Sequence, residues 1–430
     1  MTGRAGRVTK GDKVRRRYAS HRVIVSALGA VLLFATGCTA AGSPTRMTPD
    51  RAAIDIGPYG VTPLAPPAGY EEKYGRVLES VRMGEAVIDP VQVDPALTYG
   101  LGAAASVPIP TPAKAGFLAQ PVRAVLERRG MLAGFSVGGM DAGIPSQVAV
   151  GRARLLTVLL LRFPDDAAAR SAATEIDAVD AAVSPENVAV PIPEHPEAHG
   201  HWRPTAPTLA ATTAQGSFVI SVLAGERTTD LEALRRLAGT AFTAQRARLA
   251  EFRPTPPDRF ATLPLDTDGM LARLLPEAPG VWPWPTVITR RNDPNAGWLT
   301  LTGFTATGIV LGPRAAHRWG SWQRPTEGVG MILAINGQHT LLRLPDAVTA
   351  RREYEGSADE LTEPGQRQAP APAGIPDTRC VESLTGLQFG PRFACRTLYG
   401  RYEAVVYART LADAQHKISA QYLLLARTEQ

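Results

Sequence analysis

Leu161-Arg162-Phe163-Pro164-Asp165, followed by Ala169-Arg170, returns 181 residues later as Leu342-Arg343-Leu344-Pro345-Asp346, followed by Ala350-Arg351. Each copy closes an apolar run of strand length, and the proline and aspartate after it suit the start of a helix. Two further pairs keep the same order. Leu132-Ala133-Gly134-Phe135-Ser136 corresponds to Leu301-Thr302-Gly303-Phe304-Thr305 at an offset of 169. Gly216-Ser217-Phe218 and the apolar run after it correspond to Gly400-Arg401-Tyr402 and its run, at an offset of 184. Offsets that drift this little describe one unit used twice, with loops of slightly different length.

Each unit reads as strand, helix, strand, helix. In the first these are residues 155–163, the alanine-rich stretch to Val179, 218–223 and 230–249, the last with Leu231, Leu234, Leu237, Ala238 and Phe242 on one face. In the second they are 331–344, 347–361, 402–407 and 412–425. Ahead of the units, 71–88 reads as a helix, because Tyr74, Val77, Leu78, Val81 and Ile88 recur at helical spacing before Pro90 stops it. A short second helix is expected at 120–129, with loop between. The fold class that follows is α+β: two tandem related domains, each an antiparallel or mixed sheet packed with helices. Pro254, Pro256, Pro257 and Pro264 mark the break, giving an N-terminal domain at 68–258 and a C-terminal domain at 259–430.

The net charge of +6 is misleading about partners. Residues 1–37 carry eight basic side chains and one acid, +7, so the rest of the chain sums to about −1. A body of that charge has no electrostatic reason to seek nucleic acid. The basic leader precedes an uncharged stretch, residues 23–36, which is the length of a signal-peptide core and short of the ~20 residues that span a bilayer. Gly37 and Cys38 follow at once, as in a lipoprotein signal, although Ala35 stands where leucine is usual. A diacylglycerol on the Cys38 thiol would hold the protein stably on a membrane. An ordinary cleaved signal, with Cys38 incidental, is the alternative. The chain has three cysteines. With Cys38 lipidated, Cys380 and Cys395 remain as one disulfide, suited to an oxidising compartment and contributing roughly 3 kcal/mol. Residues 38–67, with six prolines, read as a tether.

Several segments carry a resemblance to a known group: Asp55-Ile56-Gly57-Pro58-Tyr59, Arg82-Met83, Val93-Asp94-Pro95-Ala96-Leu97, Asp268-Gly269-Met270-Leu271-Ala272-Arg273, Leu275-Pro276 and Gly312-Pro313-Arg314-Ala315-Ala316-His317. Over most of its mature length the chain resembles uncharacterised envelope lipoproteins of actinobacteria (mycobacteria, nocardiae and their relatives). The resemblance implies related N- and C-terminal α+β domains and brings no catalytic residues.

Three features invite a chemical reading. Gly134-Phe135-Ser136-Val137-Gly138 fits the nucleophile elbow of a serine hydrolase, with His339 or His416 as nominal base. The glycines and proline that follow do not read as the helix an elbow requires, so a strand ending in a turn is the plainer account. His195, Glu197, His199 and His201 have metal-ligand side chains at close spacing, but in a proline-rich loop without cysteines. Five of the six tryptophans, Trp282, Trp284, Trp298, Trp319 and Trp322, fall in one region, either as a stacking surface for glycans or partners or as core. His317 beside Arg314 and Arg318 reads as structural, and Arg128-Arg129, Arg290-Arg291 and Arg351-Arg352 as solvated faces. No cofactor motif appears. The resulting expectation is a non-enzymatic lipoprotein on the outer face of the cell membrane. It would bind membrane lipid through Cys38 and an envelope protein, lipid or glycan through its body. A serine hydrolase at Ser136 and a metal module at His195, His199 and His201 stand as alternatives.

Overall fold

The computed structural model describes residues 50–101, 106–116, 118–144, 149–288, 306–318, 330–356, 365–384 and 391–429. Residues 49–430 form one compact unit. The expected leader and Cys38 lie outside the described residues.

The N-terminal half contains α1 (Glu72–Met83), β1 (Tyr99–Gly100), β2 (Ser106–Pro108), α2 (Val122–Arg128), β3 (Ala133–Met140), β4 (Leu155–Arg162) and α3 (Asp166–Ala181). It continues with β5 (Val188–Ala189), β6 (His199–Trp202), β7 (Thr208–Gln215), β8 (Phe218–Gly225) and α4 (Leu231–Ala250). The C-terminal half contains β9 (Thr286–Val287), β10 (Ala306–Thr307), β11 (Ile309–Leu311), α5 (Pro313–His317), β12 (Ile332–Asn336), β13 (His339–Arg343) and α6 (Ala347–Gly356). It ends with β14 (Gln366–Ala369), β15 (Thr378–Ser383), β16 (Phe393–Tyr399), β17 (Tyr402–Ala408) and α7 (Leu411–Thr428).

Both large sheets are antiparallel throughout. The first runs β1-β3-β4-β8-β7-β6-β5, with β2 also on β3; the second runs β11-β12-β13-β17-β16-β15-β14. From β3 and β12 onward the two orders coincide, and each sheet sends a helix out after its hairpin (α3, α6) and after its last strand (α4, α7). The repeated residues explain why. Asp165 and Asp346, from the two Pro-Asp pairs, accept the backbone N–H of Ala168 (2.7 Å) and Thr349 (2.8 Å) and so cap α3 and α6. Gly216 and Gly400, both at φ +55°, open the two-residue turns that join β7 to β8 and β16 to β17.

The expected strand–helix–strand–helix unit is therefore incomplete. Three strands, β5 to β7 and β14 to β16, stand between each hairpin helix and the last strand. The stretch 331–344 is a hairpin, reversed at Gly337-Gln338, rather than one strand. The place beside β13 that corresponds to β3 belongs to β12, so the counterpart of Ser136 lies there and not at Thr305; residues 301–305 lie outside the described residues.

Central strand β4 is buried along its whole length because both its faces are covered. Leu159 and Leu161 pack with α2 and α3, while Leu156, Val158 and Leu160 face the opposite way toward α4. That second core is shared between the halves: Val77 and Val81 of α1 and Phe135 of β3 lie in one cluster with Ile309, Leu311 and Ile335 of the second sheet. Polar groups pin the junction. The Glu85 carboxylate accepts the N–H groups of Arg314 and Ala315, each at 3.1 Å, at the start of α5. A buried ion pair, Arg162 to Glu79 at 2.7 Å, ties β4 to α1. Glu79 also accepts the Thr255 N–H at 3.0 Å, fastening the linker between the halves.

The expected tether needs correction where it is described. Ile54, Ile56 and Val61 pack on Ile375, Tyr422 and Leu423, and Leu64 joins the core under α7. This stretch is a strap on the C-terminal half because its aliphatic side chains meet an apolar face that water would otherwise wet.

Candidate functional site

Ser136 sits mid-strand in β3, opposite Val107 and Leu159, fully buried, and its hydroxyl has no hydrogen-bond partner among the described residues. A nucleophile elbow requires a sharp strand-to-helix turn and an adjacent base. Here the strand continues through Gly138 and Gly139 to Met140. The nominal bases are elsewhere: His339 is buried in the second sheet, and His416 on α7 lies 3.2 Å from Asp55. The hydrolase reading fails on geometry.

The histidines divide between opposite faces of the first sheet. His195 Nε2 lies 3.1 Å from the Gly239 carbonyl and 3.0 Å from Thr243 Oγ1, both on α4. His199 and His201, two apart on β6, turn to the other helix: His199 lies 3.1 Å from Thr174 and His201 2.8 Å from Asp177, both on α3. Three ligands split by a sheet cannot share one ion, so the proposed set His195, His199 and His201 is overturned. Asp177 and Asp180 flank His201 from α3 and account for its polarity structurally.

Trp282 is buried in the core beneath α7, and Trp284 stacks on Tyr74 of α1 with ring centroids 4.7 Å apart. Trp298, Trp319, Trp322 and Arg290-Arg291 lie outside the described residues. Arg128 and Arg129 both bind Glu175, and Arg351 pairs with Asp377 at 2.6 Å. His317 stands 3.8 Å from Asp89 at the junction between the halves. Cys380 and Cys395 face each other across β15 and β16 and form a disulfide, with Cα atoms 4.1 Å apart under α7.

A different place gathers chemistry, and it was not singled out from the sequence. The buried side chain of Gln421 on α7 donates to the Arg273 carbonyl and accepts the Leu275 N–H, both at 2.8 Å. This fixes the turn that ends at residues 273–275, and Glu277 beyond it reaches the hairpin turn between β12 and β13, where it accepts the Gln338 N–H at 3.4 Å. Gly337 is required there: its φ is +58°, and a Cβ would stand 1.6 Å from a Glu277 oxygen. Between this segment and the strap lies a cavity of about 300 Å³, with Tyr59, Thr62 and Leu64 on one side and Leu275, Pro276 and Pro279 on the other. The Tyr59 hydroxyl donates to Asp413, and the Lys417 ammonium stands 5.9 Å from the centre of the Tyr59 ring and 3.7 Å from Asp413. Lys417 itself donates to the Tyr407 carbonyl at 3.0 Å. Partial burial raises the Glu277 carboxyl above its ordinary value, against the Gln338 N–H and Lys417. Burial presses His339, 2 % exposed, down to about 3, so it is neutral; both its ring nitrogens lack partners among the described residues. The cavity is lined mostly by apolar groups, with Tyr59 and Thr62 as its polar side chains, which is the composition of a small binding site.

Two antiparallel sheets of matching strand order, each with helices after its hairpin and its last strand, define a two-domain α+β protein built on a repeated unit. The family models agree in dividing the chain into an N-terminal and a C-terminal domain. The chain belongs to the DUF7373 family, described as a domain of unknown function, with the N-terminal model matching residues 66–265 and the C-terminal model residues 270–428. No curated protein matches the chain. Among solved structures, the extracellular domain of PknH from Mycobacterium tuberculosis is similar at 11% identity and a TM-score of 0.25, over 37% of this chain and 93% of that one. A likeness that slight carries no argument.

Proposed function

We propose that this protein is an exported lipoprotein of the actinobacterial cell envelope, held on the outer face of the membrane by lipid on Cys38, that acts by binding rather than by catalysis. The observation that carries this reading is the cysteine count. The disulfide between Cys380 and Cys395 uses two of the three cysteines and belongs to an oxidising compartment. The remaining one is Cys38, directly behind a basic, then apolar leader. The resemblance to envelope lipoproteins points the same way, and the body of the chain, near neutral in charge, gives no hold for nucleic acid. Its partner is an envelope protein, lipid or glycan.

Fractionation of a native host tests this. The unaltered protein is expected in the membrane fraction and to incorporate labelled palmitate, whereas Cys38→Ser is expected to lose the label and leave the membrane. Recovery of both forms from the cytosol with the leader intact would end the proposal.

A further inference from the structure

The outer edges of the two sheets differ. Strands β5 and β14 hold the same place, last in their sheets. Beside β5 the Val190 N–H bonds to the Gly200 carbonyl of β6 (2.9 Å), so antiparallel alternation turns the backbone groups of Asn187, Ala189 and Pro191 outward. That edge is largely closed. The Asn187 N–H goes to the Ser184 carbonyl (3.2 Å), and Pro191 has no N–H and gives its carbonyl to Arg235 (2.9 Å). Beside β14 the Leu384 N–H bonds to the Gly365 carbonyl (2.7 Å), while the Ser383 N–H turns the other way, to Arg392 just before β16 (2.8 Å). The same alternation points Glu382 and Cys380 at Arg367 and Ala369, and leaves the N–H and C=O groups of Gln366 and Gln368 facing away from the sheet. Gln366, Arg367 and Gln368 are exposed, and no described residue bonds to those outward backbone groups. The open stretch is short, because Pro370 has no N–H and its carbonyl accepts Gln415 at 2.9 Å.

An open antiparallel edge is a template for one more strand. Charge selects which. The Glu382 carboxylate binds both Arg367 and Arg392, so one buried acid serves two mostly exposed guanidinium groups and the rim keeps a net positive charge. Arg367 stands between the two open residues, at the position where the facing side chain of an added strand comes closest. A second copy of the chain fits poorly there: the two-fold register that uses both Gln366 and Gln368 sets Arg367 directly opposite Arg367. We propose that β14 receives an extended segment of a partner protein as an eighth, antiparallel strand of this seven-stranded sheet, with an acidic residue opposite Arg367. The proposal rests on the binding reading above and selects protein among its partners. Gln366 and Gln368 supply the main-chain hydrogen bonds that carry affinity, and Arg367 supplies the choice of sequence.

Two end-blocked peptides are the probes, Thr-Val-Thr-Glu-Thr-Val-Thr and the same sequence with lysine for glutamate, titrated into the full-length protein and followed by amide NMR. Saturable binding of the acidic peptide is expected, with hydrogen exchange slowed at the Gln366 and Gln368 amides. The basic peptide should bind about fivefold more weakly or worse, since like charges directly opposite each other repel. Arg367→Gln should erase that preference. Gln368→Pro removes one outward N–H and leaves the β14–β15 ladder its bonds, so it should abolish binding. Melting temperatures confirm that the variants fold; should the proline variant not, Arg367→Gln decides alone. Four results would overturn the proposal: no saturable binding, binding without protection of the two amides, equal affinity for both peptides, or a dimer of the protein alone that Gln368→Pro dissolves. The last would give the edge to a second copy. None of them bears on where Cys38 places the protein, and a partner held elsewhere on the body would leave the binding reading standing.

Discussion

Arg162 and Glu79 are one residue pair whose worth depends on being broken singly. Both side chains are almost wholly buried, at 6% and 0% exposure, and Arg162 also lies over the Phe260 ring. Glu79 keeps Arg82 at 2.5 Å when Arg162 is lost, but removing Glu79 strands the Arg162 charge out of water, so Glu79→Leu is expected to cost about 3–5 kcal/mol in urea unfolding. Replacing both, with Arg162→Met added, should recover most of that loss; a double variant no more stable than the single one would contradict this. His339 makes a pH prediction. Its folded pKa, pushed down to about 3, lies below the ordinary 6.5, so the unfolded chain takes up a proton that the folded protein refuses. Stability is then complete above pH 6.5 and drains away as the pH falls toward 3, by about 2–3 kcal/mol at pH 4.5. His339→Leu should flatten that part of the stability–pH curve, and an unchanged slope would show that another group sets it.

At the scale of elements, sequence was a good guide to whatever is buried on both faces and a poor one to the rest. Strands β4 and β8 read as apolar runs because helices cover both sides, and all four long helices after the first sheet's hairpin and last strand, and after their counterparts in the second, begin at or within a residue of the expected place. Strand β7, Thr-Leu-Ala-Ala-Thr-Thr-Ala-Gln, offers only small and hydroxylated side chains, so no apolar run marks it although half its residues are buried. The missed hairpin had a signal: Asn336-Gly337 between apolar residues is a turn pair. The candidate site left less trace. Gln421 is a lone glutamine in an apolar helix face, and Glu277 is one acid among prolines; only the fold sets them around one short segment, residues 273–277. The His195–His201 cluster misled because spacing along a chain does not say which face of a sheet each residue will join. Strands β15 and β16 carry a prediction of their own. Replacing both Cys380 and Cys395 with serine should lower stability by roughly 3 kcal/mol, read from chemical unfolding under non-reducing conditions. Equal stability of the two forms would mean that the sheet alone holds these strands.

Across the molecule, the halves are related in plan but not independent in packing. Helix α1 precedes the first sheet, yet Val77 and Val81 share a core with Ile309 and Leu311 of the second. Residues 66–265 expressed alone would expose that face, and exposed apolar surface of such size drives association. The isolated N-terminal half is therefore expected to aggregate or bind hydrophobic dyes, whereas the whole chain unfolds in one transition. A well-behaved monomeric half would refute the shared core.

The strap has a consequence for connectivity. Ile54 and Ile56, near the start of the described body, touch Tyr422 and Leu423, near its end. A short flexible peptide from the last turn of α7 back to residue 50 would then join beginning to end without disturbing either sheet. Cutting that closed chain at the proline-rich stretch between the halves would give a circular permutant in which the order of the domains is reversed while every native neighbour is kept.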